Sequence, residues 1–171
     1  MEQIQEVLDG MDDKTATFGM LFVATNLMET LLDRAFAPYG ITVKQWLLLI
    51  TITSLFAEPP TVKQVAGAMG TSHQNVKQIA LNLEKNGFLR LEKDANDARA
   101  TRLITTEACR AFGEETTDAG NAFMGEAFAG IDEADLRGAR NTLFSLWQNA
   151  MKMKFAKEHD KSAVERGERN A

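Results

Sequence analysis

A mainly α-helical fold carrying one short β-hairpin is what this 171-residue chain predicts, and three observations predict it. Apolar residues recur with the helical period through most of the chain. Between Phe88 and Thr105 that period shortens to two. Thr61 to Gly87 carries the small-residue spacing of a tight two-helix corner.

Composition sets the frame. With 44% hydrophobic and 25% charged residues, the chain fits one globular domain or two small modules sharing a core. No unbroken apolar run reaches the roughly 18 residues a membrane span needs. The start, MEQIQEVLDGMDD, is acidic where a signal peptide is basic, so the chain reads as cytoplasmic with no membrane partner. A single cysteine, Cys109, excludes an intrachain disulfide. His73 and His159 lie too far apart in sequence to suggest a zinc site, so no metal or cofactor is expected. Cys109 reads as an inert core thiol or a redox sensor, and the absence of a flanking basic pair favours the inert reading.

In chain order, residues 1 to 12 are polar and read as loose. Lys14 to Phe36 reads as a helix whose wide apolar face includes Phe18, Leu21, Phe22, Met28, Leu31 and Leu32. Pro38-Tyr39-Gly40 stops it. Thr42-Val43-Lys44-Gln45 is a capping box, and the same four letters recur at Thr61-Val62-Lys63-Gln64, so two helix starts are fixed. The helix from 43 to about 56 is apolar nearly all round, which predicts burial on most sides, Trp46 included.

In the corner, Ala66 allows close helix approach and Gly70 can take a positive φ in the turn. Val76, Ile79, Ala80 and Leu83 give the second helix a buried face. These features define a helix-turn-helix. The opposite face presents Gln74, Asn75, Gln78, Asn82 and Lys85, with Lys77 on its flank. A solvated surface is the bland reading of such a face. Joined to the Ala-Gly-Val corner, it reads instead as a base-reading surface, since Asn and Gln pair with N6 and N7 of adenine.

Phe88 to Lys93 and Ala100 to Thr105 alternate as strands around Asp94-Ala95-Asn96-Asp97-Ala98-Arg99, a hairpin wing directly after the recognition helix. Asp97 is placed to orient the Arg99 guanidinium, which suits a minor groove. A helix from Thr105 or Thr106 to about Ala129 follows, weakened by Gly113, Gly120 and Gly125 at about 1 kcal/mol each. Gly130 caps its end, Asp132 starts a last helix to about Ala156, and the charged tail beyond reads as frayed. Charge is uneven. Residues 61 to 105 hold seven Lys and Arg against four acids, a net +3, within a chain of net −5. The remainder is therefore −8, so one basic module stands on an acidic body.

The ordered set Ile41-Thr42-Val43-Lys44-Gln45-Trp46, Thr61-Val62, Ala66, Gly70-Thr71-Ser72, Val76, Leu83-Glu84-Lys85-Asn86-Gly87-Phe88 and Asp97-Ala98-Arg99 resembles the MarR (multiple-antibiotic-resistance regulator) family of winged-helix transcriptional regulators, over about residues 14 to 153. The resemblance implies a homodimer with a helical dimerisation region at 14–40 and 106–156, a winged helix-turn-helix at 41–105, and flexible ends at 1–13 and 157–171. It implies a recognition helix at 72–86 for the major groove and a wing at 94–99 for the minor groove. By position, Ser72, His73, Gln74, Asn75, Lys77, Gln78 and Arg99 are the DNA-binding residues. A small aromatic effector that releases DNA would meet Phe18, Phe22 and Trp46.

Three positions depart from the family pattern. Ala108 replaces a common glycine, Ala100 stands where a second wing arginine often follows, and Leu81 projects near the polar face of the recognition helix. Relatives that sense peroxide use a cysteine in the first helix, where this chain has none.

The expectation is a dimeric repressor on double-stranded DNA with an A/T-containing near-palindrome. A winged-helix protein adaptor is the alternative, and it requires apolar anchors on the recognition face, where only Leu81 qualifies. No Ser, His and acid constellation, metal-ligand spacing or phosphate-binding glycine loop points to an enzyme.

Overall fold

A computed structural model describes residues 2–168. The helices are α1 (Glu2–Asp9), α2 (Asp13–Phe36), α3 (Val43–Leu55), α4 (Val62–Ala68), α5 (His73–Lys85), α6 (Glu107–Ala127) and α7 (Glu133–Glu168). Strands β1 (Leu89–Lys93) and β2 (Thr101–Thr105) lie between α5 and α6, and a 3-10 turn, Ala37–Tyr39, follows α2. The architecture is a mainly helical winged helix with one antiparallel hairpin, as expected. Two compact units make up the chain, divided between Ala111 and Phe112.

Local chemistry explains the helix starts of the first unit. Thr42 and Thr61 each close a reciprocal capping box, with the Gln45 and Gln64 amides returning to the cap backbone N–H at 2.9 and 2.8 Å. Ser72 caps α5 by accepting from the Asn75 N–H at 3.1 Å. Between α4 and α5 the chain reverses at Gly70, whose φ of 66° is a conformation a Cβ disfavours.

The core of this unit collects side chains from every element of the module. Leu48 of α3, Val65 of α4, Val76 and Leu83 of α5, Leu89 of β1 and Leu103 of β2 are fully buried. Each contributes about 1.5–3 kcal/mol by leaving water. Strands β1 and β2 pair in the register Leu89↔Thr105 through Lys93↔Thr101. A single bridge, Thr61↔Arg102, and the Leu103 N–H donating to the Pro60 carbonyl at 2.8 Å extend that edge to the start of α4.

Several expectations need correction. Glu2–Asp9 is helical where residues 1 to 12 were read as loose. Its Ile4 and Val7 are both exposed, so packing does not hold it, and local propensity does. Helix α3 buries Leu48, Leu49, Thr51 and Ile52 but leaves Leu47, Ile50 and Leu55 exposed, so it is not covered on most sides. Helix α7 continues past Ala156 to Glu168, because no proline interrupts it and Lys, Glu and Ala favour the helix. The segment Asp13–Tyr39 has no unbroken apolar run of about 18 residues, yet by length and composition alone, with a mean hydropathy of 1.2, it could cross a membrane, because interspersed Thr and Asn lower the average only modestly. Its C-terminal end is nevertheless tied to the module: Asp33 accepts from the Val43 N–H at 2.7 Å, and Phe36 packs on Trp46.

The second unit comprises the remainder of α6 and α7. Asp132 caps α7 by accepting from the Asp135 N–H at 2.8 Å, and Gly130 takes φ 77° at the preceding turn. On α7, Phe144 and Trp147 stack with ring centroids 5.9 Å apart.

Candidate nucleic-acid interface

Burying Val76, Ala80 and Leu83 leaves Ser72, His73, Gln74, Asn75, Lys77 and Gln78 exposed on α5. The Ser72 oxygen is used in capping, which leaves its O–H free to donate. Asn75 donates its amide to the Thr71 hydroxyl at 3.0 Å, so its carbonyl oxygen is the half left to accept. Leu81 is 41% exposed, the apolar interruption on an otherwise polar surface.

The wing is fastened to this helix. Glu84, in the last turn of α5, accepts from the Leu91 N–H of β1 at 2.8 Å. The Phe88 N–H meets the Leu83 carbonyl at 2.9 Å, so the hairpin leaves α5 at a fixed angle.

At the wing tip one expectation changes. Asp97 accepts from the backbone N–H of Arg99 at 2.9 Å and does not pair with its guanidinium. A residue two positions on is within easy reach of an Asx turn, and that local bond wins. The organiser of the wing is Asp94, which the sequence reading passed over. Its carboxylate is buried and accepts from the Asn96 and Asp97 N–H groups at 2.8 and 2.9 Å and from Arg102. Those two backbone bonds, followed by Arg102, hold its pKa below the ordinary carboxylate range. Arg102 also donates to the Pro59 carbonyl.

The charge count of the module therefore divides. Arg102 and Arg90 are partnered by Asp94 and Glu92. Lys63, Lys77 and Arg99 have no ion pair among the described residues, and all three line one groove of about 490 Å³. His73, Gln74, Asp97, Thr61 and Thr101 share its lining. Thus α5 and the wing bring His73, Gln74, Lys77 and Arg99 to one groove, which Lys63 of α4 also lines.

A protein-family model described as MarR family matches residues 39–100, the segment that contains this corner and wing. The winged module is thus similar to the MarR family. An uncharacterized HTH-type transcriptional regulator, YdcH, of Bacillus subtilis (strain 168) is 30% identical over 90 residues. That alignment takes in 52% of this chain, which spans 61% of the length of that relative. Among solved structures, a MarR protein from Peptoclostridium difficile superposes with a TM-score of 0.74 at 13% identity, covering 85% of this chain and 92% of that one. CouR from Rhodococcus jostii RHA1, solved bound to p-coumaroyl-CoA, gives 0.67 at 24% identity, over 79% of this chain and 92% of that one. The fold shared with those structures therefore extends over more of this chain than the matched segment.

The predicted effector residues fall in two places. Phe18 and Phe22 sit edge to face at 5.0 Å, both more than half exposed, whereas Trp46 packs on Phe36 at 5.4 Å. At 1.5 Å per residue, Phe22 lies about 21 Å along α2 from Phe36, too far for one chain to close a small-molecule cleft from both pairs. Cys109 is buried, and burial pushes its thiol pKa up, which keeps thiolate scarce at neutral pH.

Proposed function

We propose that the chain is a dimeric, sequence-specific DNA-binding transcriptional regulator, a cytoplasmic repressor released by a small-molecule effector. The observation that carries this reading is the exposed amide and cationic face of α5 next to a wing whose Arg99 lines the same groove. In this reading residues 72–86 enter the major groove, where Gln74, Asn75 and Gln78 meet base edges and Ser72, His73 and Lys77 meet the backbone. Residues 94–99 reach the minor groove. Asn75, already donating to Thr71, contributes an acceptor toward an amino group unless it exchanges that bond.

A second copy completes the molecule. Phe18, Phe22, Val23 and Leu27 of α2 and Leu143, Phe144 and Trp147 of α7 are exposed in the single chain, an apolar area that supports dimerisation through residues 14–40 and 106–156. Such a pairing also accounts for the membrane-like composition of α2 without a bilayer. An aromatic effector would be met by Phe18 and Phe22 or by Trp46, and the CouR complex with p-coumaroyl-CoA supports an aromatic ligand class. No catalytic step belongs to this reading.

Fluorescence anisotropy with a labelled random-sequence duplex tests it. The protein should bind at low salt and weaken steeply as salt rises. Replacing Arg99 by Ala should lower affinity and reduce the salt slope by about one unit per lost phosphate contact. No binding at low salt would remove the DNA reading and leave the protein adaptor, while unchanged affinity and slope in R99A would remove the wing.

A further inference from the structure

One cation of the groove has no part in the reading above. Lys63 stands in the first turn of α4, exposed, and lines the groove with Lys77 of α5 and Arg99 of the wing. Asp97, the one carboxylate among the lining residues, has an oxygen engaged by the Arg99 N–H. Three cations around one concavity repel one another unless an anion sits among them.

The walls of the groove are joined below it. Arg102 grips Asp94 at the wing base and the Pro59 carbonyl ahead of α4, while Thr61 bridges to Arg102 and Leu103 bonds Pro60. The wing is thus bonded both to the start of α4 and, through Glu84 and Leu91, to α5, which ties the place of Lys63 to that of α5. Gln74 lines the same groove and belongs to the base-reading face, so an anion seated there is continuous with a duplex under α5.

We infer that this groove seats one phosphodiester of the DNA backbone and that Lys63 is the α4 cation that grips it opposite Lys77, with Arg99 adding positive potential from the wing side. The inference rests on the DNA-binding reading and assigns a backbone-positioning contact to α4. Thr101 at the rim supplies a hydroxyl of the kind that contacts phosphate oxygens, while the Thr61 hydroxyl is engaged with Gln64 in the capping box.

The test is a salt-titrated anisotropy series on one random-sequence duplex with the full chain, Lys63→Ala, Lys63→Gln and a control, Lys161→Ala, in the charged tail beyond residue 156. Lys63 is exposed, so circular dichroism should show both of its variants folded. Each should bind more weakly, with the slope of log affinity against log salt shallower by about 0.9 for every seat engaged, while Lys161→Ala keeps the wild-type slope. An unchanged slope in both Lys63 variants, with wild type binding normally, overturns the inference alone. An equal loss in Lys161→Ala overturns it too, since the effect would then be one of net charge. Absence of wild-type binding instead defeats the DNA reading beneath it.

Discussion

Residues 41–105 and the helices that flank them treat apolar side chains in opposite ways. In the winged module Leu48, Val65, Val76, Leu83, Leu89 and Leu103 are sealed from solvent by one another's elements. On α2 and α7, Phe18, Phe22, Leu27, Phe144 and Trp147 stand open, although the sequence period is just as helical. The module is sealed within one chain, whereas the flanking helices leave their apolar side chains uncovered. Under the proposed function that contrast separates two jobs: the module holds a reading face in shape, and the flanking helices set how many such faces act together.

Breaking the module should cost most. Leu83→Ala empties a fully buried site between α5 and the hairpin and should destabilise by about 2–5 kcal/mol in urea unfolding. A loss below 1 kcal/mol would mean that the site relaxes and that the core is not the jigsaw its burial suggests. On the other side of the comparison, Phe22→Ser on α2 should spare the fold and act on assembly. Losing about 1.5–3 kcal/mol of apolar burial should weaken self-association at least tenfold in sedimentation velocity. A variant that assembles like wild type would move the dimer surface off α2.

The smallest effect is expected in the wing and depends on pH. The Asn96 and Asp97 amides, then Arg102, lower the Asp94 pKa in the folded chain, so the stability it lends is present above the unfolded carboxylate value. It is lost as pH falls through the lower folded value. Protection of the Asn96 and Asp97 amides, taken relative to their intrinsic exchange rates at each pH, should therefore hold at neutral pH and fall only in acid, whereas Asp94→Asn should lower it already at neutral pH. Equal exchange in wild type and variant across that range would assign the wing's order to its strands alone.

What the sequence made legible was local. Thr42, Thr61 and Asp132 cap helices through bonds spanning three residues, and each was visible as a cap. The hairpin was visible from its period of two, with each strand starting one residue later than read. Bonds between distant residues were not. Arg102 reaches Pro59 across 43 positions, so it counted as a free cation until the fold paired it. Asp94 could have been found, because Asp followed by backbone amides two and three residues on is an Asx pattern. Exposure of α2 and α7 could not, since an apolar stripe looks the same whether its own chain or another one covers it. The groove that gathers Lys63, Lys77 and Arg99 draws on three elements, and no spacing along the chain shows them converging.

The most direct test joins both halves of the contrast. Selection of bound sites from a random duplex library should return an A/T-containing near-palindrome with half-sites about 10 base pairs apart, since amide side chains favour adenine and paired modules fall on successive major grooves. Enrichment of G/C-only sites, or of sites without two-fold symmetry, would contradict the account.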